Sequence, residues 1–240
     1  MPQRIDRFYY FSSGLLLLAG GVLFLWGGSQ HPPINASLGV GEEFFRHFVE
    51  HVLQTKNWQA IHGGILAGPL CWALGAVALR DALRRVGEPQ WSTLAVVALV
   101  LGSMAWTVTF VFDGFVAPYY AQMISQTPDP SSARVLLSGF AANQIVVIRM
   151  GLVSWLLIGA AMACFAISIL STPIFRRGLN LVLGLTGLVL GIWPMIAWLS
   201  GTFSPGPFIS RWWILTALTT ALWFMTIGVL LMGYTHKPEK

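Results

Sequence analysis

The chain has 240 residues, of which 55% are hydrophobic and only 10% are charged, and its net charge is +5. Soluble globular domains carry about 25% charged residues, so this composition excludes an ordinary soluble protein and favours one that is dissolved in lipid. The basic residues form no aromatic-interleaved patch, which argues against nucleic acid as a partner.

Six apolar stretches are each about as long as the roughly 20 helical residues that cross a bilayer. They lie at 8–28, 61–79, 91–112, 145–170, 179–199 and 212–234. The first follows Arg4 and Arg7, as in a signal peptide, but no small-residue cleavage site follows it, so we expect a retained span. The sequence therefore predicts one all-α domain over 1–240, a polytopic bundle of six transmembrane helices.

The distribution of basic residues predicts the orientation of this bundle. If both termini are cytoplasmic, nine of the fourteen lysines and arginines lie in short segments on the inner side: Arg4, Arg7, Arg80, Arg84, Arg85, Arg176, Arg177, Lys237 and Lys240. Cytoplasmic segments are enriched in basic residues, so we expect an N-in, C-in topology. The longer connections, 29–60 and 113–144, then face outward, where function is expected to concentrate.

The first outer connection contains an amphipathic segment, Glu42 to Lys56. Apolar side chains recur along one face of a helix there, at Phe44, Phe45, Phe48, Val49, Val52 and Leu53, with polar residues opposite. This pattern predicts an interfacial helix whose phenylalanines lie in lipid or on the bundle. In the second outer connection, 128–131 predicts a turn, and a helix is expected from Ser132 into the fourth span.

Ionisable side chains are costly inside a membrane and indicate a functional site by default. Three of them lie near the outer boundary: His62 opens the second span, Asp113 ends the third and Arg149 lies near the start of the fourth. We expect them to form a small ligand-binding site, with an Asp113–Arg149 ion pair that offsets much of the cost of burying each charge. The alternative is a structural ion pair joining spans three and four.

Four histidines fall on the predicted outer side: His31, His47, His51 and His62. His47 and His51 occupy adjacent turns of one helix face, the spacing that a zinc, copper or haem-iron site requires. The sequence therefore offers these four histidines as ligands of a metal ion or haem, and a solvated histidine pair is the alternative for His47 and His51. The two cysteines lie in apolar runs without a CxxC partner, which predicts neither a zinc site nor a disulfide.

The beginning of the chain resembles a group of uncharacterised bacterial membrane proteins. In these, a glycine-rich first span ends in His-Pro and a Trp-x-x-x-His motif enters the second span. This chain has Gly27-Gly28, then His31-Pro32, and later Trp58 and His62. The resemblance covers about the first 80 residues. It implies a multi-pass protein of the bacterial inner (plasma) membrane in which His31 and His62 meet at the outer face, and it implies no activity.

Two functional hypotheses follow from the sequence. The chain contains no P-loop, no nucleophile elbow and no dinucleotide-binding fingerprint, so no reaction can be assigned to it. The first hypothesis is a small polar site at the outer face that binds a metal, haem or a small amphiphile such as a quinone or lipid. The second is a non-catalytic accessory subunit that docks on a larger membrane complex. In both, the lipid bilayer is a partner, and the second adds other membrane subunits.

Overall fold

A computed structural model describes residues 2–31, 41–88, 90–199 and 207–234. Within these ranges every regular element is helical, and no strand occurs. A short π-helix, Phe112–Val116, connects α4 to α5 without a break. The α-helices are α1 (Pro2–Gln30), α2 (Glu42–Gln54), α3 (Trp58–Arg85), α4 (Gln90–Val111), α5 (Ala117–Gln126), α6 (Pro130–Ser171), α7 (Arg177–Leu199) and α8 (Pro207–Met232).

Six candidate membrane spans occur among the described residues, which confirms the prediction of an all-α polytopic bundle. They are Asp6–Gln30, Trp58–Arg85, Gln90–Gln126, Pro130–Ser171, Arg177–Ile196 and Ile214–Met232. Because the number of spans is even, the first span begins and the last span ends on the same side of the membrane. We call the opposite end, which holds His31 and Trp58, the outer end, following the charge-based prediction of topology.

The third and fourth spans are longer than the sequence predicts. They contain 37 and 42 residues, or about 55 and 63 Å of helix, against a hydrocarbon core of about 30 Å. The sequence ends the third span at 112 and begins the fourth at 145, whereas α5 and the start of α6 extend both spans as a helical hairpin over most of 113–144. The predicted helix from Ser132 into span four is confirmed, since Asp129 caps α6 by accepting from the Ser132 N–H at 2.9 Å.

The amphipathic helix α2 packs on this hairpin. Its phenylalanines and valines are buried against residues of α5 and α6, so the stripe contacts the protein. The exception is Leu53, which the sequence places in the stripe and which is exposed. A second apolar core therefore lies at the outer end, composed of Phe44, Phe45, Phe48, Val49, Val52, Trp58, Ala117, Ala121, Leu137 and Phe140.

The spans pack side by side around an aromatic centre. Helix α1 contacts α3 and α8, α4 contacts α3 and α6, and α7 contacts α6 and more weakly α8. Small residues permit the closest approaches: a Cβ on Gly159 would lie 2.6 Å from the Gly191 carbonyl oxygen. Rings from five spans meet in the centre, at Phe24, Trp72, Trp106, Trp155 and Phe224.

A polar network joins three helices at the inner end. The Tyr10 hydroxyl donates to Asp81 at 2.7 Å, and the Arg85 guanidinium donates to both Asp81 and Asp6, at 3.1 and 3.0 Å. The Tyr234 ring packs edge-on against Tyr10, with ring centroids 4.9 Å apart. The network connects the start of α1, the end of α3 and the residues just after α8, and it pairs the charges of Asp6, Asp81 and Arg85.

The predicted topology can be tested with two exposed positions. In a background with Cys71 and Cys164 replaced by serine, a Ser131→Cys variant should react with a membrane-impermeant maleimide added to intact cells. A Gly178→Cys variant should react only after the cells are broken, because Gly178 lies at the opposite end of the bundle. The reverse labelling pattern would invert the orientation and place the outer end in the cytoplasm.

Candidate functional site

The π-helix between α4 and α5 shapes one wall of a polar site. The Ala117 N–H donates to the Phe112 carbonyl, the five-residue spacing of a wide turn. The Asp113 carbonyl accepts a hydrogen bond from the Trp58 indole N–H of α3, at 2.8 Å. A Cβ on Gly114 would lie 2.6 Å from the His62 Cβ, so glycine allows the π-helix to contact α3 here. Such wide turns occur frequently at functional sites.

His62 is fully buried against this wall, with 0% of its surface exposed. Its ring stacks on Trp58, with centroids 4.3 Å apart, and lies 5.7 Å from Phe110. Its Nδ1 lies 2.8 Å from the Trp58 carbonyl oxygen. Because a carbonyl oxygen can only accept, Nδ1 carries the proton of this hydrogen bond, and a neutral His62 has a free lone pair on Nε2.

The Asp113 carboxylate faces that lone pair. Its Oδ2 lies 3.2 Å from His62 Nε2, and its Oδ1 accepts from the Gln144 side-chain amide at 3.4 Å. The residue is only 6% exposed. A carboxylate oxygen and an unprotonated ring nitrogen are both acceptors, so their approach in a buried place requires a positive charge between them. That charge is either a proton or a metal ion.

His31, at the end of α1, completes the group. Its ring centroid lies 5.0 Å from that of His62, and one donor atom from each of His31, His62 and Asp113 lies within 4.8 Å of the others. The structure thus brings His31 and His62 together, as the sequence predicts. Ligand atoms about 2.0–2.2 Å from one ion lie roughly 3 Å apart, so the 3.2 Å between His62 and Asp113 fits a shared ion. We call these three residues the histidine–aspartate cluster.

Two amides of α6 border the cluster. Gln144 holds the Asp113 carboxylate, while the Asn143 amide donates to the Phe112 carbonyl at 3.5 Å. The buried Asn143 side-chain oxygen has no hydrogen-bond partner among the described residues. A buried acceptor without a donor costs free energy, so this oxygen is available to a water or a ligand group beside the π-helix.

Arg149 is not part of the cluster, and the predicted Asp113–Arg149 ion pair is wrong. Successive helical residues rotate by about 100°, so Arg149 lies about 200° around α6 from buried Val147. Arg149 is exposed, and the carboxylate of Asp113 interacts with His62 and Gln144 instead.

The four histidines of the sequence prediction divide into two places. His47 and His51 lie on the face of α2 that is turned away from the buried stripe, with ring centroids 4.5 Å apart. The buried Phe48 packs on Trp58 at 5.9 Å, and Trp58 in turn stacks on His62, so aromatic rings stand between α2 and His62. The structure therefore brings His31 to His62 and does not bring His47 or His51 to it.

Sequence reasoning did not find the roles of Trp58, Gly114 and Gln144. Tryptophan is common at membrane interfaces, and glycine or glutamine near a helix end occurs for many structural reasons. None of these three residues therefore indicates a site by its type alone. The available signal was Asp113-Gly114 in an otherwise apolar run, since glycine next to a buried charge indicates a close approach. The local sequence pattern does not predict the π-helix that directs Asp113 toward His62.

Comparisons with models of known protein families, with characterised proteins and with solved structures give no match for this chain. A functional assignment therefore depends on the chemistry of the histidine–aspartate cluster.

Proposed function

We propose that this chain is an integral membrane metalloprotein that binds one divalent transition-metal ion at its outer end, through His31, His62 and Asp113. The observation that carries this proposal is the approach of His62 Nε2 to Asp113 Oδ2, at 3.2 Å, while Nδ1 donates to a backbone carbonyl. A metal ion between the two acceptors satisfies both without protonating either.

The donor set suits ions such as zinc or iron(II). Two imidazoles and one carboxylate are ligands of catalytic zinc and of non-haem iron(II), and three protein ligands leave a coordination position for water or an external ligand. The groups around the cluster resemble an outer ligand shell, because the Trp58 carbonyl orients the His62 ring and Gln144 orients the carboxylate. Such an ion would polarise a bound water or small ligand.

The geometry favours an ion over a haem held between two histidines. Two axial imidazoles lie on opposite faces of the porphyrin, with ring centroids about 6 Å apart or more. The centroids of His31 and His62 are 5.0 Å apart, and Asp113 belongs to the same cluster. We infer a bacterial inner membrane from the resemblance of the first 80 residues, and an outward-facing site from the distribution of basic residues.

A direct test compares two aspartates. The purified wild type should retain about one equivalent of metal after dialysis against a weak chelator, and Asp113→Asn should retain none, because the amide keeps the shape but loses the anionic ligand. Asp129→Asn is the matched control: Asp129 caps α6 outside the cluster, and asparagine caps equally well, so metal content should stay unchanged. Elemental analysis and the absorption spectrum after Co²⁺ substitution measure the result.

The competing explanation of the cluster is a buried imidazolium–carboxylate pair that holds a proton. In that case the wild type would retain no stoichiometric metal, and Co²⁺ would give no spectrum of nitrogen and oxygen ligands. Either result would overturn the metalloprotein proposal.

The second candidate function is that of an accessory subunit in a larger membrane complex. The position of Arg149 favours it. This arginine is exposed on a membrane-spanning helix, has no ion pair among the described residues, and is surrounded by exposed apolar side chains, at Ile145, Val146, Ile148 and Val153. An arginine in lipid is costly unless a counter-charge reaches it. A carboxylate on a helix of another subunit would supply that charge and fix the docking face of α6.

The docking proposal predicts a change in assembly size. Extracted gently from its own cells, the wild type should migrate on a native gel above the size of one chain, and Arg149→Gln should shift it downward. Arg134→Gln is the control, because Arg134 is an exposed arginine of α6 in the helical hairpin. Equal migration of all three as single chains would exclude a stable partner and leave a lipid phosphate as the counter-charge.

A further inference from the structure

Helix α2 carries a histidine pair that the histidine–aspartate cluster does not use. His47 and His51 lie on adjacent turns, and their ring centroids are 4.5 Å apart with the planes nearly perpendicular. Glu50 lies between them in the sequence, with its Oε2 3.7 Å from His47 Nδ1. Two imidazoles with a carboxylate beside them form a donor set for a divalent transition metal.

The helix that presents this pair is held in place. Five residues of its opposite face, including Phe45 and Val49, are buried in the second apolar core, so α2 is anchored along its length. Binding at adjacent turns then requires only side-chain rotation and no ordering of the backbone. That preorganisation lowers the entropic cost of chelation.

No lysine or arginine among the described residues forms an ion pair with Glu50, so its carboxylate can bind a metal ion. Arg46 is paired with Glu42, one turn earlier on the same helix. The Glu50 carboxylate has only His47 as an ion-pair partner among the described residues, and the two side chains are 65% and 41% exposed. An ion from solution therefore meets two partly exposed imidazoles and an exposed carboxylate, and no buried group has to be uncovered.

We propose that His47, His51 and Glu50 form a second metal site, an exposed and exchangeable one for an imidazole-preferring divalent ion such as Ni²⁺, Cu²⁺ or Zn²⁺. It is distinct from the histidine–aspartate cluster, because the rings of Phe48 and Trp58 lie between them. The site does not depend on metal binding at the buried cluster. Its exposure predicts faster exchange and weaker retention than at a buried site.

The test is a Ni²⁺ titration of the untagged full chain in detergent, followed calorimetrically. The wild type should bind one equivalent that a weak chelator removes completely, in addition to any retained ion. The double variant His47→Ala/His51→Ala should lose this exchangeable equivalent, and Glu50→Gln should weaken it. Gln54→Ala, an exposed substitution in the last turn of α2, is the matched control and should bind as the wild type does.

The proposals for the two metal sites can be tested independently of each other. In Asp113→Asn, the exchangeable equivalent should persist even though the retained ion is lost, so the second site stands or falls without the first. If His47→Ala/His51→Ala binds Ni²⁺ with the same stoichiometry and affinity as the wild type, the pair is only a solvated face of α2 and the proposal is overturned. Loss of binding in the Gln54→Ala control would overturn it too, because the effect would then not be specific to the imidazoles.

Discussion

Replacing His62 with alanine is expected to remove the retained metal ion and to lower the free energy of unfolding by about 3–5 kcal/mol. The side chain is fully buried between Trp58 and Phe110, so its truncation leaves a cavity. It also leaves the buried carboxylate of Asp113 without the partner 3.2 Å away, and an unpaired buried charge is strongly destabilising. Metal content and unfolding in a denaturing detergent measure the two effects.

One further variant separates the loss of the ligand from the loss of packing, and a second serves as its control. His62→Gln fills much of the cavity and can still donate to the Trp58 carbonyl, so it should lose the ion while most of the stability returns. His236→Ala, at a position outside the described residues, is the control for general handling of histidine variants. A His62→Gln protein that keeps a full equivalent of metal would remove His62 from the ligand set.

Gly114→Ala should have the second-largest effect, although glycine has no side chain to bind anything. The new methyl group would lie 2.6 Å from the His62 Cβ, so α3 and the π-helix must move apart. Overpacking of this kind costs about 1–3 kcal/mol. Because the same movement separates His62 from Asp113, we expect at least a tenfold loss of metal affinity, read from competition with a chelator.

Gly63→Ala is the matched control for this prediction. Gly63 directly follows His62 in α3, and a Cβ there meets no atom within 4 Å. Alanine is the better helix former, so this variant should be as stable as the wild type or slightly more stable, by up to about 1 kcal/mol. Equal metal affinity in Gly114→Ala and the wild type would show that the contact of the π-helix with α3 does not set the site.

The fold could be predicted from the sequence because the bilayer imposes simple rules. Apolar length alone locates the spans, and the phenylalanine stripe of α2 follows the helical period. In the helical hairpin, the sequence predicts the turn and the start of α6 but not α5, because the polar residues of α5 resemble those of a loop. The stability of the hairpin comes from burying apolar residues against α2, such as Leu137 and Phe140, and that is a tertiary contact.

The site was only partly predictable. Histidine and aspartate near a span boundary indicate function because charge is costly there, and this reasoning selected His62 and Asp113, while His31 entered with the outer histidines and the resemblance of the first 80 residues. The same reasoning wrongly paired Asp113 with Arg149, because depth along a helix was considered without the rotation around it. The π-helix adds a residue to a turn, and this changes which residues face inward beyond Phe112. A regular helical period cannot anticipate that change.

The histidine–aspartate cluster has a consequence for biogenesis. Its three residues come from the position after α1, from α3 and from the π-helix, and Gln144, which orients the carboxylate, comes from α6. A ribosome delivers these segments in order, so the site is incomplete until the fourth span has been inserted. With an N-in topology, the finished site also faces away from the cytoplasm. If the chain binds the metal ion proposed above, the ion would be taken from the outer compartment after translocation, and a cytoplasmic metal chaperone would not reach the finished site.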